Sequence, residues 1–268
     1  MKKTDLGYDE TNKKLSSRID IHNQLSEKDI DQWILNLAEI KPGEKILDVG
    51  CGNGKQVVSF GKALKNTGHI TAVDISRELL ETAKKKAVAN GIHNVTFSSH
   101  NMDVSFPFPD GEFDLISSCF SIYYVSDSDK LIKEFLRLLK TDGRILIVGP
   151  TPKNTEDFWK LHGELTGGRI PEKPLMRRAR IEKEFIPLTK KYFSDVSIKI
   201  FDNNLHFKTT QQVLDYYTAS LLFKESYDAE AEKKEILGKM KREIDKKIEL
   251  DGEFIIKKQV YGMVGYRK

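Results

Sequence analysis

The sequence predicts an α/β protein with a doubly wound sheet, and three adjoining stretches carry that prediction. Lys45-Ile46-Leu47-Asp48-Val49 is a short apolar run with one acid near its end. That is the pattern of a buried strand in a parallel sheet. The run breaks into Gly50, Gly52 and Gly54 at alternate positions, where the backbone can turn sharply and approach a ligand with no Cβ in the way. Val57, Val58, Phe60, Ala63 and Leu64 follow at helical spacing, and His69-Ile70-Thr71-Ala72-Val73-Asp74 is a second apolar strand ending in an acid. Strand, glycine turn, helix and strand form a nucleotide-binding βαβ unit, and an acid about 20 residues beyond the glycines suits a ribose diol.

The flanking elements extend this unit on both sides. Residues 1 to 25 are polar, with Tyr8, Leu15, Ile19 and Ile21 as apolar handles. They read as a loose tail or a short surface helix, or else as a flap over the ligand. Ser26 starts a helix as its N-cap. Ile30, Trp33, Ile34, Leu37 and Ala38 line that helix, and Pro42-Gly43 ends it. After Asp74, Ser76 caps a helix carrying Leu79, Leu80, Ala83 and Ala87, and Gly91 closes it. Val95 to Ser98 is the third strand, Asp114 to Ser118 the fourth and Arg144 to Val148 the fifth. Asp127 caps the helix between the last two, which bears Leu131, Ile132, Phe135, Leu136 and Leu139.

Beyond Pro150 the pattern is less regular. Glu156 to Leu165 and Arg178 to Phe193 read as helices, with a Gly167-Gly168 and Pro171/Pro174 loop between them. Val196 to Phe201 reads as a strand. Thr209 or Thr210 starts a helix with Val213, Leu214, Tyr216, Tyr217, Leu221 and Leu222. A highly charged helix follows from Ala229 to Leu250, with Ile236, Met240, Ile244 and Ile248 on one stripe. Asp251-Gly252 turns into a last strand to Tyr266. There is no internal repeat.

Composition sets the outer bounds. The 268 residues can bury one large core with an elaborated cap. A net charge of +4 against 44 basic and 40 acidic side chains describes a solvated surface, and nucleic acid is not expected as a partner. The start Met1-Lys2-Lys3-Thr4-Asp5 has no apolar signal region, and no apolar run approaches a membrane span. Cys51 and Cys119 form neither a CxxC pair nor a zinc pattern, so no metal is expected and a cytoplasmic location is the natural one.

Asp48 separates two kinds of ligand. A dinucleotide site uses G-x-G-x-x-G, whereas this loop is G-x-G-x-G behind a carboxylate. A carboxylate there would repel a pyrophosphate and suits a ligand with a cationic amino group. Further along comes Asn101-Met102-Asp103-Val104-Ser105-Phe106-Pro107-Phe108-Pro109-Asp110-Gly111-Glu112-Phe113-Asp114. From about Lys41 to Pro150 the chain resembles the class I S-adenosylmethionine-dependent methyltransferases, whose first motif reads [VIL]-L-D-x-G-x-G-x-G and whose later stretch reads D-A-x-x-L-P-F-x-D-x-x-F-D. Within them it is similar to the type 11, quinone-biosynthesis-like group that acts on small molecules.

The resemblance implies a Rossmann-like, seven-stranded sheet, mostly parallel with an antiparallel last strand, under a helical cap. It implies S-adenosylmethionine as cofactor and S-adenosylhomocysteine as product. Residues 1–40 would be a helical segment or flap, 41–150 the cofactor-binding core, 151–208 cap elements with the sixth strand, 209–250 an inserted lid and 251–268 the last strand. Asp48 would order the glycine loop and face the methionine end, with Gly50, Cys51, Gly52 and Gly54 letting the backbone approach. Asp74 would take the ribose hydroxyls and Ile75 would pack on the adenine. Asp103 or the Met102 backbone would meet the adenine amino group, and Cys119 and Phe120 would lie beside the methionine end.

The acceptor is constrained only by exclusion. After the fourth strand the chain reads Cys119-Phe120-Ser121-Ile122, without the [N/D]-P-P-[Y/F] tetrapeptide of nucleobase amino-methylating relatives or the aspartate of metal-dependent catechol relatives. A small-molecule acceptor remains, methylated at oxygen, nitrogen or carbon by in-line displacement. His162, His206, His100, Tyr123 and Tyr124 are the candidates for a proton acceptor, histidine because it titrates near neutral pH. Tyr216, Tyr217 and Phe223 would line an acceptor cavity or the core of the lid. The sequence leaves a homodimer open. It also leaves two other readings, a non-catalytic S-adenosylmethionine sensor and an NAD-dependent oxidoreductase.

Overall fold

The computed structural model describes residues 11–65, 67–227 and 229–267. Tyr8 and the rest of residues 1–10 lie outside the described residues, as does Lys268 at the end of the last segment. The chain enters through α1 (Asn12–Leu25) and α2 (Ile30–Ala38). It then alternates β1 (Lys45–Val49), α3 (Lys55–Leu64), β2 (His69–Asp74), α4 (Arg77–Ala89) and β3 (Val95–Ser99). After β4 (Phe113–Cys119) come α5 (Ser128–Leu138) and β5 (Leu139–Pro150). The seven strands lie in the order β3-β2-β1-β4-β5-β7-β6. β7 (Phe254–Tyr266) runs antiparallel to both β5 and β6 (Ser194–Phe207), and the remaining pairs are parallel. The predicted sheet is therefore the observed one.

Alternation along the strands divides the core, because successive side chains point to opposite faces. Ile46, Ile70, Leu115 and Leu146 pack with α2, α3 and α4 on one face. Leu47, Ile116, Ile145 and Ile147 pack with α5 on the other. Buried Arg144 holds Glu44 through two hydrogen bonds of 2.8 and 2.9 Å and donates to the carbonyls of Ala38 and Glu39 at the end of α2. Carbonyls left over at a helix C-terminus need such donors.

Past Pro150 the sheet becomes the base of a cap. β5 pairs with β7 only from Arg144↔Tyr266 to Pro150↔Val260. β6 and β7 stay paired as far as Phe207↔Phe254, so a two-stranded ribbon projects beyond the end of β5. That is the end where β1, β2 and β4 deliver their C-terminal tips. The ribbon carries a third core with α6 (Glu156–Leu165), α9 (Thr210–Ala219), α10 (Leu221–Lys224) and α11 (Glu230–Asp251). Phe158, Phe207, Tyr217, Ile236, Met240 and Ile244 are buried in it. The charged helix buries Ile236, Met240 and Ile244 of the stripe expected of it, with Ile248 partly buried at its end.

Several boundaries differ from the sequence reading. Asp29, not Ser26, caps α2, accepting from the amides of Asp31 and Gln32, while Ser26 bridges to Leu205. The helix expected from Arg178 begins six residues earlier as α7 (Glu172–Arg180). Pro171 and Pro174 look like a loop, but proline is tolerated in a first helical turn, where the amides have no partner. A π-turn (Ile181–Phe185) joins α7 to α8 (Ile186–Tyr192). β5 and β6 are both longer than predicted, since polar edge and ribbon residues do not show a strand's apolar alternation. α1 is a regular helix, one of the readings the sequence left open for this segment.

Candidate active site

The strand tips and the cap enclose one large cavity of about 1290 Å³. Its floor is the glycine loop. The amides of Gly50 and Cys51 both donate to the Val73 carbonyl, at 2.8 and 3.0 Å, so the loop is folded back onto β2. Gly50 has φ +72°, and a Cβ there would stand 2.3 Å from the Ser121 Cβ. Ser121 is itself fixed, its hydroxyl donating to the Val49 carbonyl at 2.8 Å. Glycine is thus required for conformation and for space together. Gly54 lies behind the loop as the N-cap of α3 and packs on Ala83.

Two acids organise the floor. Asp74 at the β2 tip accepts from the Gly52 amide at 2.9 Å and the Ser76 amide at 2.8 Å. Burial raises its pKa above the usual carboxylate value while those amides act the other way. Ser76, as expected, is the cap of α4. Asp48 is a register partner of Ser117 and shares its face of the sheet. The Ser117 hydroxyl donates to Asp48 Oδ1 at 2.5 Å, and Oδ2 has no hydrogen-bond partner. Burial, helped by the charge of Asp74, pushes the Asp48 pKa up to about 6. Asp48 and Gly54 do not line the cavity, whereas Gly50, Cys51, Gly52 and Asp74 do.

Ile75 follows Asp74 on the cavity wall and is 52% exposed, an apolar side chain standing free at a strand tip. Met102 and Asp103 face the same region. Both carboxylate oxygens of Asp103 are engaged by Ser126, one by its amide at 2.7 Å and one by its hydroxyl at 3.2 Å. At the β4 tip, Cys119 and Phe120 line the cavity, and burial pushes the Cys119 thiol pKa well up. Phe120 has φ +59°, held by its amide bond to the Val148 carbonyl at 2.8 Å. A bulky side chain in this region costs about 1–3 kcal/mol and persists where the surroundings over-determine it, which is common at functional sites.

The expected proton acceptors separate. His162 is fully buried in the cap core, with Nδ1 2.6 Å from the Tyr217 hydroxyl and Nε2 3.0 Å from the Arg169 carbonyl. Both ring nitrogens are committed to holding the cap, and the residue does not reach the cavity. His206 sits outside the cavity between Glu27, at 2.6 Å, and Glu253, at 3.2 Å. Tyr123, Tyr124 and His100 do line the cavity. His100 is pinned by its Nε2 at 3.0 Å from the Val104 carbonyl. Of the expected lid aromatics, Tyr216 faces the cavity and Tyr217 and Phe223 belong to the cap core.

For the roof, the sequence offered a flap as one reading of residues 1–25 and did not name His22. α1 lies over the glycine loop, with Leu15 Cδ2 3.3 Å from where a Gly52 Cβ would be. Asn53 in the loop donates to Ser16 of α1 at 3.2 Å. His22, also on α1, lines the cavity edge-on to Tyr216 at 6.0 Å. Its pKa is held well below the ordinary histidine value, chiefly by burial and further by Lys258, Lys55 and Arg18. Leu15, Ile19 and His22 share one helical stripe, a signal present in the sequence. Trp159, Arg178 and Lys258 complete the far wall. None of the described residues of α11 lines the cavity.

The comparisons with known proteins agree with this geometry. A family model described as a methyltransferase domain matches residues 40–174, half of the chain, and the chain belongs to that family. The ubiquinone/menaquinone biosynthesis C-methyltransferase UbiE of Vibrio parahaemolyticus is 31% identical over 163 residues, 59% of this chain and 62% of that protein. The chain thus spans roughly half to three fifths of the length of the curated relatives it matches. The YcgJ protein of Bacillus subtilis superposes with a TM-score of 0.58 at 20% identity, covering 89% of this chain and 97% of that one. A Haemonchus contortus phosphoethanolamine N-methyltransferase, solved with phosphomonomethylethanolamine and S-adenosylhomocysteine, gives a TM-score of 0.53 at 17% identity over 89% and 52% of the two chains. At such identities these structures establish a shared fold.

Proposed function

We propose that this chain transfers a methyl group from S-adenosylmethionine to a small-molecule acceptor. The observation that carries the reading is the floor of the cavity. A glycine loop with no room for side chains, an acid at the next strand tip and a buried acid beneath stand together in a methyltransferase-family chain. The floor suits the cofactor. Asp74 has acceptor capacity left for a ribose diol, and exposed Ile75 offers an apolar face to an adenine. The unpartnered oxygen of Asp48 lies under the loop, where it favours a cationic ligand above. Because Ser126 holds both oxygens of Asp103, the adenine amino group would be met by their spare lone pairs or by the backbone beside Met102.

When bound, S-adenosylmethionine supplies an activated methyl: the acceptor's electron pair takes the methyl carbon as the carbon–sulfur bond breaks toward sulfur. The protein's work is alignment and exclusion of water. α1 and Tyr216 close the roof, and Phe120 and Tyr123 crowd the β4 tip. His22 faces the cavity from α1, its uncharged form favoured by burial and by the cations around it. In this reading residues 41–150 hold the cofactor, while α1 and the first half of the 209–250 insertion act as the lid.

Calorimetry with S-adenosylhomocysteine and with NAD tests the reading directly. Binding of S-adenosylhomocysteine without NAD is expected. NAD binding without S-adenosylhomocysteine would make the chain an oxidoreductase instead. Release of S-adenosylhomocysteine in an acceptor screen then separates an enzyme from a sensor.

A further inference from the structure

Charge on the cavity wall is unevenly satisfied. Each acid that lines it has an engaged carboxylate. Glu27 meets His206 and Asn204, Asp29 caps α2, Asp31 lies 3.0 Å from Lys55, and Asp74 and Asp103 hold the amides described above. Of the cations, Arg18 stands on α1 beside His22, Arg177 is matched by Glu225 at 2.5 Å and Lys55 by Asp31. Lys28, at the exposed rim, donates to the Asp202 carbonyl at 2.9 Å. Arg178 and Lys258 stand on the inner wall. Among the described residues, neither has a carboxylate within ion-pair distance, and Glu156 acts on Arg178 only from farther off.

Both are nevertheless held in place. The Arg178 guanidinium stacks 4.6 Å from the ring centre of Trp159 and donates to the Pro152 carbonyl, and its buried Nε has no hydrogen-bond partner. Lys258 Nζ donates to the Tyr216 hydroxyl at 3.2 Å. Each cation is set against an aromatic ring of the cavity lining. Trp159 lies under Arg178, its neighbour Phe158 packs 6.1 Å from Tyr216, and Tyr216 carries Lys258. Tyr123 and Tyr124, with rings 5.0 Å apart, stand at the β4 tip. A positioned guanidinium stacked on an aromatic ring is preorganised for a planar carboxylate, and a partly desolvated ammonium gains from any anion brought to it.

We infer that the acceptor side of this cavity binds an aromatic carboxylate, its ring among Trp159, Tyr216 and the Tyr123/Tyr124 pair and its charge on Arg178 and Lys258. This rests on the methyl-transfer reading and adds the chemical class of the acceptor. It also distinguishes the chain from an enzyme whose acceptor is an uncharged ring, which would leave both cations without a carboxylate in ion-pair reach.

The test uses the full chain saturated with S-adenosylhomocysteine. Benzoate, 4-hydroxybenzoate and 2-naphthoate are titrated calorimetrically, each beside its neutral carboxamide. At least one acid should bind, and its amide should bind at least about tenfold more weakly, the scale of one lost charge-assisted contact. Arg178→Gln and Lys258→Gln should each bring the acid down toward its amide while S-adenosylhomocysteine affinity stays the same, which also shows that the variants are folded. Equal binding of acids and amides to the wild type, or no binding by any acid, overturns the inference. So does a folded variant pair that binds the acid unchanged. Failure to saturate with S-adenosylhomocysteine in the first place would refute the methyl-transfer reading itself, a separate outcome.

Discussion

Replacing Asp48 by asparagine gives a quantitative test of the buried acid under the glycine loop. The carboxyl is 2% exposed, and its pKa is pushed from the ordinary 3.8 up to about 6, mainly by burial. A raised folded pKa means that the native state holds the proton more tightly than the unfolded chain. Stability therefore falls as pH rises from about 4 to 6, and above that the whole penalty is in force. The shift of about two pH units corresponds to about 3 kcal/mol. The asparagine side chain would still accept from Ser117 but would not ionise. Its amide donors would replace an oxygen that has no partner, a pH-independent cost of about 1–3 kcal/mol. The variant should thus be the less stable protein at pH 4. The difference should move in its favour by about 3 kcal/mol by pH 8. Urea denaturation of both proteins at the two pH values measures this, with fluorescence as the probe. A stability difference that is the same at both, within extrapolation error, would show that Asp48 ionises like a surface carboxylate and would remove the buried charge from the account of the site.

Two further outcomes follow from single side chains. Asp74→Ala should weaken S-adenosylhomocysteine binding at least about tenfold, since hydrogen bonds to a charged group are worth about 1.5–3 kcal/mol each. It should also loosen the loop, because the Gly52 and Ser76 amides lose their acceptor; wild-type affinity by calorimetry would refute the strand-tip assignment. His206 has its pKa raised by its hydrogen bond to Glu27 and by Glu253, so its contribution is complete below about 6.5 and fades as pH rises through the raised value. The melting temperature of His206→Gln should accordingly lie below that of the wild type at pH 6 and converge with it at high pH, and a gap that persists unchanged to pH 9 would contradict the pairing.

Most of the sheet could be read from sequence because its signals are local. β1, the loop and β2 are contiguous, and three physical demands coincide in them: apolar burial, backbone freedom and an acid at a strand tip. Ser76, Asp127 and Thr209 cap the helices they were expected to cap, since a side-chain oxygen reaching a nearby amide needs nothing from the rest of the fold. Ser26 failed by the same logic. Asp29, three residues on, is an equally good cap, and Ser26 was taken by β6, which lies far away in sequence. The extra length of β6 could not be seen because a ribbon that leaves the sheet trades apolar alternation for contacts with the cap.

The acceptor wall was hidden for a deeper reason. His22, Trp159, Arg178, Tyr216 and Lys258 come from five separate elements, and in the sequence each has an ordinary explanation. Arg178 stands in a run of basic residues and Lys258 in a pair of lysines. Neither looks unusual until the fold withholds a carboxylate from it. His162 was a candidate from sequence and His22 was not, yet the helix that carries His162 buries it in the cap core. The residues proposed to serve a ligand are marked by what the protein leaves undone around them: the free oxygen of Asp48, the exposed Ile75, and Arg178 and Lys258 with no carboxylate in ion-pair reach. Such omissions are properties of a closed structure. A single sequence records which groups are present, and only the topology shows which of them have been left without partners.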